Sequence, residues 1–277
     1  MSKRLHLGWL AGLAFGLMPL VGRADVEAPL PKLEDIIKNA IERGKLEDEN
    51  DLKFKQQYYF VRDRKTEIRN ADGDIKKLKI RISTNTPSAT IVTPENQAPL
   101  PSLGTVLPSD QAAKANSEAP ADMPRKLDKN QLQFNLDLVK RFDFKLVGRE
   151  QTNGYSLLVV DFTPKKTKLP EKGLRDRVVN RVAGRIWVDE REFAVKKCAL
   201  KLIQNISILG GLAGEAQKFN YTFDRERTAD GLWYVRDSSW HLEGRQVLVH
   251  READYREKRS HVRKPEQPKQ LSAGSER

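Results

Sequence analysis

The stretch FDFKLVGREQTNGYSLLVVDFTP, from Phe142 to Pro164, decides the fold class of this chain. Asn153-Gly154 stands between two runs rich in apolar and β-branched residues, which is the strongest short-range signal for a β-hairpin. A second signal of the same kind, Asp230-Gly231, separates two later runs. The sequence therefore predicts an antiparallel sheet that occupies most of the chain after Phe142.

The strand pattern continues to Glu257 and makes one face of the sheet apolar. Phe219, Tyr221 and Phe223 alternate with polar residues, as in a strand with one buried and one solvated face. The predicted strands are Phe142–Gln151, Tyr155–Thr163, Gly184–Val188, Phe193–Asn205, Lys218–Arg227, Leu232–Leu242 and Arg245–Glu257.

Residues 1–24 have the features of a signal peptide. A basic start at Lys3-Arg4 precedes an apolar run from Leu7 to Leu20, and small residues follow up to Ala24. At about 14 residues the run is shorter than the ~20 that cross a bilayer, which favours cleavage near Ala24 over an uncleaved anchor. We therefore expect an exported protein, located in the periplasm or secreted.

Residues 25–83 are predicted to supply a docking helix and the first two strands. Pro31–Ile41 carries apolar residues at helical spacing, and this stripe needs the sheet as a packing partner. Two strands follow, Gln56–Arg69 and Ile75–Ser83, joined at Asp72-Gly73. Their charged face is predicted to point outward to water, and its cations are Arg62, Arg64, Lys77 and Lys79.

Residues 84–125 differ in composition from the rest of the chain. They hold half of the chain's 14 prolines and no aromatic residue, so they bury too little apolar area to offset the entropy of ordering. We predict a flexible insertion here, then the main sheet over residues 126–260 and a disordered tail over 261–277. Leu127–Phe142 fits both a strand and a helix, and Asp128 near a helix N-cap favours the helix.

Charge and cysteine content limit the classes of function. The formal charge is +12 at pH 7, and for an exported protein this indicates anionic membrane surfaces or lipid headgroups. No zinc, helix-turn-helix or single-strand-binding signature accompanies the charge, so nucleic acid is not a predicted partner. Cys198 is the only cysteine, which excludes an intramolecular disulfide, and we predict that it is a small buried side chain.

No catalytic constellation, cofactor motif or metal site is recognisable in the sequence. A turn near Glu243-Gly244 would place His241 opposite Gln246, so it would not converge with His250 on a metal. The carboxylates of Asp189–Glu192 are interpreted as solvated turn residues rather than as an acid–base pair. We therefore predict a protein that is not an enzyme and uses no cofactor.

Two connections between strands are candidate contacts for a lipid. The apolar, glycine-rich loop Ile206–Gly214 either packs on its own sheet or forms the mouth of a cavity. The basic run Lys165–Arg185 is either a solvated connection or a surface for headgroups. The candidate mouth residues are Ile206, Ile208, Leu209 and Leu212, and the candidate headgroup contacts are Lys165, Lys166 and Lys168.

Several short motifs resemble a known group of bacterial exported proteins. The motifs are Phe142–Glu150, Asn153-Gly154, Val160–Pro164, Gly184–Asp189, Ile206–Gly214 and Asp254-Tyr255. They are similar to segments of uncharacterised proteins grouped with outer-membrane lipoprotein-sorting (LolA/LolB-like) proteins. The resemblance implies an α+β fold, in which a strongly curved antiparallel sheet, or half-barrel, has helices packed on its concave side over an apolar cavity. Known carriers of this group hold lipoprotein acyl chains there.

The pattern and the resemblance lead to two hypotheses of function. The first is non-enzymatic binding of a lipid or lipoprotein acyl chain in the periplasm, since each enclosed CH₂ contributes about 0.8 kcal/mol. The second is a protein-binding or regulatory envelope module on the same scaffold. The candidate cavity lining, for which ordinary core packing is the alternative, is Trp187, Leu200, Phe219, Tyr221, Phe223 and Trp233.

Overall fold

The computed structural model describes residues 28–87, 136–208, 214–246 and 249–265. The chain divides after Leu30, and the fold described below belongs to the unit that begins at Pro31. The predicted signal peptide, most of the predicted insertion and the end of the predicted tail lie outside the described residues.

Within the described ranges, no helix combines the length and the apolar character needed to cross a membrane.

Four helices occur in the described ranges, and the first is the predicted docking helix. It is α1 (Leu33–Gly44), whose apolar spacing buries Ile36 and Ala40. The second, α2 (Glu47–Gln57), was not predicted, because EDENDLKFKQQ has no apolar stripe and Phe54 is its one buried apolar residue. Two short helices follow, α3 (Leu136–Arg141) and α4 (Leu174–Val179). The helical interpretation is thus confirmed for the described part of Leu127–Phe142.

The strands form one open antiparallel sheet. The described residues contribute ten strands in the order β2-β1-β10-β9-β8-β6-β5-β4-β3, with β7 paired to β8 beyond the end of β6. Their bounds are β1 Tyr59–Arg69, β2 Ile75–Asn85, β3 Phe142–Thr152, β4 Tyr155–Pro164, β5 Val182–Asp189, β6 Val195–Leu202, β7 Ile206–Ile208, β8 Gly214–Arg227, β9 Trp233–Gln246 and β10 Val249–Arg263.

The cross-strand register divides the side chains of the sheet between two faces. We call inner face the one on which Val160, Ile186, Cys198 and Phe223 are successive neighbours across β4, β5, β6 and β8. These residues form one core with Ile36 and Ala40 of α1, so the helix packs on this face. The predicted half-barrel, a curved antiparallel sheet with helices on its concave side, is the observed fold.

A second, smaller core joins α2 to the sheet. The ring of Phe54 stacks on those of Tyr58, Phe60 and Tyr234, with centroids 5.3, 5.1 and 4.8 Å away. Asn50 adds two hydrogen bonds, since its side-chain amide donates to the Trp233 carbonyl and its side-chain oxygen accepts from the Trp233 N–H. α2 is therefore held by aromatic packing and by one amide that satisfies strand backbone.

The turn predicted near Glu243-Gly244 is wrong. β9 continues to Gln246, and His241 lies opposite Asp254 of β10. Gly244 lies inside the strand, at a position that requires a glycine because the backbone of β8 approaches closely. A Cβ at this position would lie 2.3 Å from the carbonyl oxygen of Glu215. The glycine marks a close contact between strands rather than a reversal of the chain.

The sheet also extends further than predicted at its end. β10 runs to Arg263, three residues beyond the predicted boundary at residue 260. Its last residues pair with the start of β1, where Tyr59 lies opposite Arg263. The first residues assigned to the tail therefore belong to the sheet.

Candidate functional site

One row of side chains crosses the inner face from β3 to β2 and changes from apolar to basic on the way. The successive cross-strand neighbours are Leu146, Val160, Ile186, Cys198, Phe223, Ser238, Glu257, Arg64 and Arg81. Neighbours opposite each other on one face of a sheet lie in contact distance. The inner face therefore presents an apolar region and a charged region side by side.

Aromatic side chains mark the boundary between the two regions. Tyr221, Trp240 and Tyr255 are neighbours across β8, β9 and β10, and all three are half-buried. Trp240 stacks on Tyr255 with ring centroids 5.7 Å apart, and Tyr221 lies 6.0 Å from Phe223. Burial raises the pKa of the Tyr255 phenol to about 12, helped by the neighbouring Glu257 carboxylate. This boundary is an aromatic surface that stays uncharged at neutral pH.

The charged region corrects the prediction that the cations of β1 and β2 point outward. Arg62 and Arg64 lie opposite Arg259 and Glu257 of β10, on the inner face. The apolar residues of β2 take the outer face instead, where Leu78, Ile80 and Ile82 are 51%, 59% and 68% exposed. Alternation within one strand does not reveal which face turns inward, because pairing with the next strand decides it.

The carboxylate of Glu257 is the centre of the charged region. Its Oε1 lies 3.2 Å from Nη2 of Arg259 and 3.4 Å from Nε of Arg62. Its Oε2 accepts a hydrogen bond of 2.9 Å from the hydroxyl of Tyr255. Arg62 and Arg259 also lie over the ring of Phe60, with 5.9 and 5.4 Å from Cζ to the ring centroid.

The three arginines of this region have donor atoms that the described residues leave unsatisfied. Within those ranges, the buried Nε atoms of Arg62, Arg64 and Arg259 have no hydrogen-bond partner. Arg62 Nε is near Glu257 but lacks hydrogen-bond geometry. Arg259 is only 3% exposed, and its burial, together with the charge of Arg62, lowers its pKa against the opposing effect of Glu257. Buried donors without a hydrogen-bond partner are rare in folded proteins, so each of them requires an explanation.

Four of the six candidate lining residues share the inner face. Leu200, Tyr221 and Phe223 are half-buried, and Phe219 is buried in the core. Leu200 lies opposite Tyr221 across β6 and β8. These positions form one continuous apolar surface, whose role in binding a ligand stays a prediction.

Trp187 lies on the opposite face of the sheet and does not join the other candidates. Ile186 takes the inner position on β5, so the next side chain along the strand points outward. The cross-strand neighbours of Trp187 are Val159 and Lys197, and Lys197 Nζ lies 4.5 Å from its ring centroid. Its indole N–H donates to Glu150 at 2.8 Å.

Trp233 differs from the half-buried candidates of the inner face, because it is completely buried at the start of β9. Its indole N–H donates to Glu192 at 2.7 Å, and its ring lies 5.7 Å from the ring of Tyr155. With its backbone held by Asn50, Trp233 joins α2 to the sheet. We therefore omit Trp187 and Trp233 from the lining proposed below.

The candidate mouth and headgroup residues are described only in part. Ile206 is buried in β7, Ile208 ends that strand, and Leu209 and Leu212 lie outside the described residues. In the connection after β4, Lys165 is half-buried, while Lys166 and Lys168 are exposed.

Several polar groups elsewhere in the described ranges are paired with one another. On the outer face, a groove of about 310 Å³ contains His241 between Asp254 and Glu243, with nitrogen–oxygen distances of 2.8 and 2.7 Å. The turn after β5 is as predicted, and its carboxylates bond to protein groups as well as facing solvent: Glu190 accepts two hydrogen bonds from Arg149. No cluster of three His, Cys, Asp or Glu suited to a metal occurs in the part of the chain that the structure describes.

Cys198 is buried in the core, as predicted. Burial raises the pKa of its thiol to about 12, which keeps it protonated and unreactive at neutral pH.

Similar solved structures come from several bacteria. A DUF1329 family protein from Desulfovibrio piger is 15% identical over 82% of this chain and 92% of its own, with a TM-score of 0.29. A LolA superfamily protein from Nitrosomonas europaea is 10% identical over 86% and 96%, with a TM-score of 0.29. A putative outer membrane lipoprotein-sorting protein domain from Vibrio parahaemolyticus is 13% identical over 86% and 95%, with a TM-score of 0.35.

Two of these three proteins carry the LolA or lipoprotein-sorting descriptions to which the sequence motifs are similar. No protein-family model matches the chain, and no curated protein matches it.

Proposed function

We propose that this protein is a periplasmic, non-enzymatic carrier that binds the acyl chain of a lipid or lipoprotein on its inner face. The observation that supports the proposal most is the half-buried aromatic surface of Tyr221, Phe223, Trp240 and Tyr255 beside the core. Residues that only close a core are normally buried, whereas residues that receive a ligand keep part of their surface free.

The free energy of acyl binding is sufficient for such a role. A chain of about 15 carbons that leaves water gains on the order of 12 kcal/mol, at ~0.8 kcal/mol for each CH₂. Association and ordering costs take a large part of this gain. A micromolar Kd needs about 8 kcal/mol, so the curved sheet must enclose most of the acyl chain to reach that affinity.

Lipid uptake tests the proposal directly. The full chain, exported from a Gram-negative host and purified from the periplasm, should release a lipid into organic solvent and should then bind a fluorescent fatty acid saturably. Mass spectrometry identifies the released lipid, and fluorescence titration measures the uptake. A preparation that carries no lipid and takes up no fatty acid would contradict the carrier function.

The lysines after β4, of which Lys166 and Lys168 are exposed, are proposed to contact the anionic membrane from which a lipid is taken. Replacing Lys165, Lys166 and Lys168 by Gln should weaken binding to phosphatidylglycerol vesicles by about fivefold for each lysine near the surface. Vesicle co-sedimentation at low salt measures this. A control with Lys38, Lys55 and Lys201 replaced by Gln changes the net charge equally, and equal losses in both variants would contradict a local contact.

A second candidate function is the binding of an acidic polypeptide along β2. Among the described residues β2 has a neighbouring strand on one side only, and its outer face exposes Leu78, Ile80 and Ile82. Open edges of this kind accept an extended peptide as an added strand, and the cations of β2 favour acidic side chains. If the preparation above lacks lipid, a photoreactive residue at Ile80 that crosslinks one acidic polypeptide would favour this function over the carrier.

A further inference from the structure

We propose that Arg62, Arg64 and Arg259 form a binding site for a phosphate or carboxylate group on the inner face. The inference rests on the proposed function, because the bound group would be the anionic end of an amphipathic ligand whose acyl chain lies on the neighbouring aromatic surface. It names the chemical class of that ligand: an anionic lipid rather than a neutral one.

The balance of charge in this region favours an anion. The three arginines face the carboxylate of Glu257, and the charge of Asp51 on α2 also acts on Arg259. Arg81 of β2 follows Arg64 in the same row. Like charges that are partly removed from water destabilise one another, and an anion among them relieves this cost.

The hydrogen-bonding capacity of the arginines also favours a bound anion. A guanidinium carries five N–H donors in a planar fork that matches the oxygens of phosphate and carboxylate. In the described residues, Arg64 Nη2 has a weak contact of 3.4 Å with Ser83 Oγ, and its buried Nε has no partner. Arg259 is almost fully buried and also has a free Nε. An oxyanion would satisfy donors that the described protein groups do not.

The position of the arginines fits a single ligand that has an anionic headgroup at one end and an acyl chain at the other. Tyr255 is an inner-face residue of β10, and Glu257 is the next inner-face residue of that strand, about 7 Å further along. The Tyr255 hydroxyl bonds to Glu257, while its ring stacks on Trp240. A headgroup at the arginines therefore places the first carbons of an acyl chain on the aromatic surface.

Two amphiphiles with the same acyl chain test this site. The full chain, freed of lipid, should bind lysophosphatidic acid at least about tenfold more tightly than the matching monoacylglycerol, because charged hydrogen bonds are strong. The ratio of the two Kd values should fall towards one in the variant Arg64→Gln and in the double variant Arg62→Gln, Arg64→Gln. Arg259 is left intact because its loss also affects the core.

The matched control is Arg256→Gln. Arg256 lies on the same strand as Glu257 but on the outer face, where it pairs with Asp237, so both amphiphiles should bind this variant as they bind the wild type. Thermal melting confirms that the variants are folded. Equal binding of the two amphiphiles by the wild type, or an unchanged difference in the folded double variant, would overturn the anion site.

A binding titration with inorganic phosphate distinguishes free phosphate from a lipid headgroup as the ligand. It also distinguishes failure of the anion site from failure of the carrier function. In one outcome, phosphate binds, Arg64→Gln weakens phosphate binding, and neither amphiphile binds. The anion site is then supported with free phosphate as its ligand, and the carrier function fails. If both amphiphiles bind equally, the carrier function is supported and the anion site is overturned. Binding of neither amphiphile nor phosphate overturns both.

Discussion

Phe223→Asp should lower the affinity for a fluorescent fatty acid by roughly a hundredfold or more, because a carboxylate at this position would have to be desolvated against the acyl chain. Phe223 is half-buried on the inner face, between Cys198 of β6 and Ser238 of β9, and its ring contacts Tyr221. It therefore lies where the core meets the proposed lipid surface. Fluorescence titration of the purified variant measures the loss.

The neighbouring position on the same strand supplies a control. Thr222 is exposed on the outer face, where its hydroxyl bonds to Ser239, so Thr222→Asp should leave fatty-acid binding unchanged. Circular dichroism and melting show whether each variant is folded. If Phe223→Asp is unstable, Phe223→Ala removes the ring without adding charge and should still weaken binding about tenfold. Wild-type affinity in a folded Phe223→Asp protein would place the lipid elsewhere.

Trp233→Ala should lower the free energy of unfolding by about 3–5 kcal/mol, the usual cost of truncating a large buried aromatic residue. Trp233 is completely buried, bonds to Glu192 through its indole and packs beside Tyr155. Its removal would leave a cavity at the point where Asn50 joins α2 to the strand backbone. Urea denaturation followed by circular dichroism measures the change.

Trp187→Ala is the matched comparison, since it also removes an indole but from the outer face. Its ring is partly exposed and touches Lys197, and its indole bonds to the exposed Glu150. We expect a loss below about 1 kcal/mol and no change in lipid uptake. If Trp233→Ala retained wild-type stability but lost lipid binding, Trp233 would return to the cavity lining as first predicted.

Local signals predicted much of the sheet. Asn153 and Gly154 both have positive φ, 48° and 79°, as a two-residue hairpin turn requires, and the strands on either side follow from their alternation. α1 was predicted from its apolar stripe, whereas α2 was missed because a helix with one buried apolar residue has no such stripe. Gly244 cannot be told from a turn glycine in the sequence, because a glycine that permits close approach of two strands has the same local signal.

The candidate site was predictable only in its apolar half. The alternation of Phe219, Tyr221 and Phe223 with polar residues assigned these side chains to one face, and the structure places that face inward. The sequence pattern assigns the charged half to solvent, because cations on a strand usually face water. No local pattern indicates that these residues meet, since Glu257 and Arg259 are nearly two hundred residues from Arg62 and Arg64 in the chain.

The sequence by itself determined the class of fold, because a period of two residues and the positive φ of a hairpin turn are properties of neighbouring residues. It also determined which side chains of a strand share a face. Only the tertiary structure decided which face of β1 and β2 turns inward, since that depends on their register with the distant strand β10. This register brings the arginines of β1 beside the aromatic residues of β9 and β10 and so creates the mixed surface on which the proposed function depends.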